Sequence, residues 1–290
     1  MPLRAFLLLT ASVLVLAAPA RGQGGGQPPS PFQQAIRAAS RLDGEGRHAE
    51  ARAAFQQLID SASTPAERAS AQRRMAMSYA FEGNCARAIE YEEQVIAYWV
   101  TREAEEPQNA FYQQGEMANE AARVCADAGA LDEAERMYRR GRELGLREPE
   151  PRTHPVSLWD YRLAHALARI SARRGDHAEA GRQLAAARAI LDRDTAMARE
   201  QERFFPYLQG YVAYYAGDLA AAESAFTRAL AMEGNRRDPF QNLLLAMTYE
   251  KQGRKEEARV MYQKAFELAG GHNPPAAHSR PYARRKLAEP

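Results

Sequence analysis

Residues 217–230, GDLAAAESAFTRAL, decide the fold. A glycine opens the stretch, alanine follows five residues later at Ala222, an aromatic stands at Phe226 and a second alanine at Ala229. Steps of four and then three residues return to one side of a helix, so Ala222, Phe226 and Ala229 share a face. Gly217 supplies the positive φ that a tight turn between two helices requires and that other residues resist. Alanine at the first position of that face leaves little between this helix and the one before it, so their axes can approach closely. A larger side chain there would force them apart. The stretch therefore predicts an antiparallel helix-turn-helix hairpin.

The same glycine-to-alanine step recurs at Gly46/Ala51, Gly83/Ala88, Gly129/Ala134, Gly175/Ala180 and Gly253/Ala258. The six glycines are separated by 37, 46, 46, 42 and 36 residues, a period that marks a stack of similar units. Nine residues after each glycine stand Phe55, Glu92, Tyr138, Leu184, Phe226 and Tyr262. Twelve after stand Leu58, Val95, Gly141, Ala187, Ala229 and Ala265. Both columns are apolar or small except at Glu92. One hairpin cannot bury such a face alone, but stacked hairpins can. The predicted helix pairs are 31–43 with 48–60, 65–82 with 85–105, 107–128 with 131–144, 155–174 with 177–192, 196–216 with 218–232, and 238–252 with 254–269. Pro65, Pro107, Pro155 and Pro239 fall near starts of first helices, where a missing N–H costs little.

At these residues the chain resembles the tetratricopeptide repeat family. The sixth unit carries the pattern best, with Leu245-Ala246, Tyr249, Gly253, Ala258, Tyr262 and Ala265. The fifth keeps Gly210, Gly217, Ala222, Phe226 and Ala229, and the second keeps Met75-Ala76, Tyr79, Gly83 and Ala88. The resemblance spans about residues 32–271 and implies an all-α, right-handed superhelical solenoid of about six helix-turn-helix repeats. Three of the five periods exceed the family's usual length, which predicts lengthened middle helices such as the one in AIEYEEQVIAYWVTREAEE (88–106). The tail, 272–290, breaks at Pro274-Pro275 and is expected to end in a short amphipathic turn from Tyr282 to Leu287, as a cap on the last unit.

The first twenty residues, MPLRAFLLLTASVLVLAAPA, combine Arg4, an apolar run from Phe6 to Ala18 and small residues at Ala18 and Ala20. That is the pattern of a secretory signal peptide (1–20), cleaved after Ala20 or Gly22. The apolar run is too short for a helix across a bilayer, which takes about 20 residues. No transmembrane span is expected in the mature chain. A Gly/Pro-rich linker (21–31) follows. The expected location is periplasmic or secreted. In such a compartment an even cysteine count raises the case for a disulfide. In the stack that the resemblance implies, Cys85 and Cys125 lie at the same end of one helix pair. They read either as a disulfide or as two small buried apolar side chains.

Charged residues are 26% of the chain and hydrophobic ones 46%, with a formal net charge of +2. So balanced a chain offers no overall basic field for nucleic acid, and no nucleic-acid partner is expected. Six histidines form no HExxH and no Cys/His cluster, and no glycine-rich phosphate loop is present. No catalytic residue, metal or cofactor is therefore expected.

What remains is a surface. In the family the first helices line a concave groove, and its groove-facing columns, carried over from the glycine register, hold Arg73, Arg74, Asn119, Arg123, Arg162, His165, Arg169, Tyr207, Tyr211 and Tyr214. Glu116 and Glu120 share these columns and dilute the charge. Guanidinium groups beside aromatic rings suit a peptide with an acidic end and an apolar anchor. The reading is an exported protein- or peptide-binding adaptor or assembly scaffold of the cell envelope. It predicts that Arg123→Glu and Arg169→Glu abolish partner capture without lowering the melting temperature. One rival is a small-ligand- or carbohydrate-binding protein, or an enzyme, with a cleft on the Tyr207–Tyr214 surface. Another is a structural scaffold that oligomerises through RPYARRKLA (280–288). The sequence leaves open the partner, the oligomeric state and whether the tail fills the groove.

Overall fold

The six hairpin glycines all adopt positive φ, between 69° and 90°. Around them the chain folds, in a computed structural model that describes residues 28–289, as an all-α helical-repeat solenoid. The expected signal peptide (1–20) and all but the end of the linker lie outside the described residues.

The first helices are α1 (Pro31–Glu45), α3 (Pro65–Phe81), α5 (Pro107–Ala128), α7 (Val156–Arg174), α10 (Phe205–Ala216) and α12 (Pro239–Lys251). Their antiparallel partners are α2 (His48–Asp60), α4 (Cys85–Val100), α6 (Leu131–Gly145), α8 (His177–Arg193), α11 (Leu219–Ala231) and α13 (Lys255–Leu268). A short helix, α9 (Thr195–Gln201), lies between α8 and α10, and α14 (Pro274–Ala288) closes the chain.

Each turn is built from two adjacent residues. The glycine takes the left-handed conformation, and in three units the next residue caps the second helix. Asn84 accepts from the Arg87 N–H, Asp176 from Glu179 and Asp218 from Ala221. Such caps satisfy backbone donors that the helix start leaves unpaired. The alanines five residues on are sealed: Ala51, Ala88, Ala134, Ala180, Ala222 and Ala258 are between 0% and 3% exposed. Phe55, Tyr138, Phe226 and Tyr262 continue that face into the core. Glu92 is as buried as its apolar counterparts.

Cys85 and Cys125 form a disulfide, with Cα atoms 4.6 Å apart. It joins the start of α4 to the end of α5, tying the second unit to the third.

Three expectations need correction. The helix through 88–106 stops at Val100 and gives way to turns, because Thr101, Arg102 and Glu103 bond back three residues instead of four. The single helix expected at 196–216 is broken into α9, a 3-10 turn (Glu202–Phe204) and α10. Pro206 is the cause: it has no N–H to donate to the Glu202 carbonyl, and the Phe205 N–H takes that acceptor instead.

The third correction concerns the tail. It is a 15-residue helix, α14, in place of a short turn. Asn273 caps it by accepting from the Ala276 N–H, and Pro274 occupies the first turn. Besides α13, it packs on α3, α5 and α12, first helices of the second, third and sixth units. It therefore runs along the inner face of the stack and is no end cap alone. Its buried side chains include Ala276, Ala277 and Ala283, small enough for close approach on several sides at once. A helix buried on several sides shows little amphipathic signal, which is why the sequence did not reveal it.

Candidate functional site

The inner face of α5 and α7 is lined by arginines, each with a different partner. Arg73, on α3, reaches across to α5 and binds Glu120 with both ends of its guanidinium fork. Arg162, on α7, pairs with Glu116 of α5. Arg123 donates to Asp127 one turn away at 2.8 Å, and its guanidinium lies 4.1 Å from the centre of the Phe240 ring on α12. The third and sixth units therefore touch across the concavity. Arg169 differs from these. It donates to Tyr207 at 3.1 Å and to Tyr138 at 2.9 Å, and has no carboxylate within ion-pair distance among the described residues.

These side chains surround a recess of about 260 Å³. Asn119, Arg123, Arg162, His165 and Arg169, five of the positions taken from the repeat register, converge on it. Tyr138 and Tyr161 form apolar wall, with Phe204 from the 3-10 turn. Pro274 and Pro275, at the start of α14, complete its lining. Register alone missed Pro274 and Pro275, because they reach the recess only through the return of the tail. The doublet Pro274-Pro275 marked a break but not its destination.

His165 is 9% exposed. Burial, and then Arg169 and Arg123 beside it, push it well below the ordinary histidine range, so the ring is neutral. Burial also raises Glu116, against the pull of Arg162. Each carboxylate in the recess is claimed by an arginine, Glu116 by Arg162 and Glu120 by Arg73. Asp127 offsets Arg123, so the local field is set by Arg169.

Other positions from the register go elsewhere. Arg73 is occupied with Glu120 at the edge of the recess. Arg74 donates to the His272 carbonyl and so holds the approach to α14. Tyr207, Tyr211 and Tyr214 are 5%, 4% and 5% exposed. They pack with Phe240, Leu243 and Leu244 of α12 in the core of the last units, and they present no ring face to a partner. A register fixes which way a residue points within an ideal stack. It does not reveal that the neighbouring helix and α14 will cover that side. The cleft expected on the Tyr207–Tyr214 surface is core for the same reason. Arg169 is clamped between two tyrosine hydroxyls, so Arg169→Glu will lower stability and cannot leave the melting temperature unchanged.

Among the described residues no group of three or more His, Cys, Asp and Glu side chains is placed to hold a metal ion. No described helix is long and apolar enough to cross a membrane.

The family model of the tetratricopeptide repeat matches residues 242–272, which hold most of α12, all of α13 and the approach to α14. Residues 242–272 thus carry a tetratricopeptide repeat. No curated protein matches it. The tetratricopeptide match falls on the unit whose spacing departs least from the family's, and the remaining units repeat its turn and its sealed alanine. A tetratricopeptide array is an interaction module, which points to a role in protein–protein contact or scaffolding.

Proposed function

We propose that this tetratricopeptide repeat protein is an exported scaffold of the cell envelope that receives a protein or peptide partner on its concave face, beside α14. The observation that carries the reading is the convergence of Asn119, Arg123, Arg162, His165 and Arg169 on one recess of that face. Guanidinium groups on a rigid helical wall suit acidic side chains of a partner, since the planar fork binds carboxylates bidentately. Export is supported by the signal-peptide pattern of residues 1–20 and by a disulfide that an oxidising compartment would maintain.

Site-directed photocrosslinking in intact cells tests the reading. A photoreactive residue at Asn119 or Glu116 should trap a discrete partner, and one at exposed Val260 or Arg139 should not. Adducts formed only from the latter two positions would move the interface off the concave face. N-terminal sequencing of the protein recovered from the envelope should begin at Arg21 or Gln23, and an intact Met1 start would remove the export reading.

A further inference from the structure

Three buried nitrogen donors or acceptors of the recess have no partner within the described residues: Arg123 Nη2, Arg169 Nε and His165 Nε2. All three side chains line the same 260 Å³ space. Arg169 and His165 are 8% and 9% exposed, so open solvent does not hydrate them freely. Buried polar atoms are nearly always hydrogen-bonded, and a cation held without a counter-charge is costly to bury. Asp127 offsets Arg123, but Arg169 meets only neutral tyrosine hydroxyls. The recess thus holds one positive charge more than its carboxylates balance.

The walls define the rest of the ligand. Tyr138, Tyr161, Phe204 and Pro275 supply apolar surface to the recess alongside its charged side chains. The volume equals that of about nine liquid waters, below the usual range for drug-sized sites. We infer that the recess is a binding site for a free small monocarboxylic acid with an aromatic or branched apolar body, its carboxylate on Arg169 and Arg123 and its body against Tyr161 and Phe204. This goes beyond the scaffold reading and does not rest on it, since it assigns a free acid in place of a protein's side chain to Arg169 and Arg123.

Isothermal titration calorimetry on the oxidised chain from residue 21 onward tests the site with phenylacetate, isovalerate, phenylacetamide, inorganic phosphate and the tripeptide acetyl-Ala-Ala-Phe. Phenylacetate or isovalerate should bind one per chain with Kd below about 1 mM. Phenylacetamide, equal in shape but uncharged, should bind at least about tenfold more weakly. Arg169→Gln, checked for a native helical spectrum, should lose binding by a similar factor. Equal binding of acid and amide would overturn the inference, and that comparison needs no variant to fold. So would phosphate or the tripeptide binding in place of both free acids, no binding of either acid at about 10 mM, or undiminished binding by folded Arg169→Gln. A failed crosslink from Asn119 or Glu116 leaves these outcomes unaffected, so the two readings fail separately.

Discussion

Asp43 and His272 stand 229 residues apart in the chain, and their side chains meet at 2.9 Å. The Asp43 carboxylate, at the end of α1, is buried and also accepts from the Ser78 hydroxyl at 2.9 Å, while His48 Nδ1 lies 2.9 Å from the same oxygen. Arg280 and Arg284, on α14, donate to the Gly44 carbonyl beside it. The first unit and the last helix are thus clasped through one carboxylate, and the stack is closed upon itself.

Removing that carboxylate should loosen both ends together. Asp43→Ala is expected to cost roughly 2–4 kcal/mol, about 1 kcal/mol per lost hydrogen bond plus the stranding of buried partners. Urea denaturation measures the loss, and amide exchange over 274–288 should quicken more than exchange over α6. Unchanged protection of α14 would mean that the clasp does not hold it.

The disulfide encloses a loop with a sequence separation of 40. Chain-entropy arguments give a bond over such a loop about 4 kcal/mol, and typical values lie between 2 and 4. Replacing Cys85 and Cys125 by serine together should therefore lower stability by about 2–4 kcal/mol in denaturant titrations. Alkylation of the unfolded chain without reductant should label no thiol.

Two glycine-to-alanine changes should act in opposite directions. A Cβ at Gly145 would fall inside the Trp159 indole, which is fully buried and faces Gly115 as well. Gly145→Ala should cost about 1–3 kcal/mol through overpacking. Gly181, on α8, has open space around it and no positive φ. Gly181→Ala should gain about 0.5–1 kcal/mol, because alanine loses less conformational freedom in a helix. Thermal denaturation of the two variants side by side checks both signs.

Glu92 carries a pH dependence of unusual direction. Burial, and then the Glu120 charge beside it, hold its carboxyl well above the ordinary value of 4.5. Neither of its oxygens has a hydrogen-bond partner among the described residues. A carboxyl raised on folding contributes its full stability below the unfolded value, and that stability drains away as pH climbs toward the folded value. Glu92→Gln, neutral and of equal size, should therefore raise the melting temperature at about pH 8 and give no gain at about pH 4. Equal effects at both values would show that Glu92 is not held protonated.

The hairpins were legible in the sequence because each is a local matter: a glycine that must turn, an alanine that must not obstruct, an aromatic one turn later. Even Glu92 announced itself, as the polar residue in an apolar column. The clasp was not legible, since Asp43 and His272 carry no mutual signal across the intervening units. Nor was the fate of Tyr211 and Tyr214, whose exposure depends on α12 and α14 rather than on their own helix. The register brings Arg123, Arg162 and Arg169 to one recess, but it could not pair Arg73 with Glu120 or leave Arg169 without a carboxylate.

Spin labels at Arg37, exposed on α1, and Arg285, exposed on α14, report the closure, with the native disulfide kept oxidised so that only introduced cysteines react. Pulsed electron–electron resonance should return one short, narrow distance distribution, which broadens and lengthens in Asp43→Ala. A broad distribution in the unmodified background, reaching to separations expected of a free tail, would contradict a C-terminal helix seated inside the repeat stack.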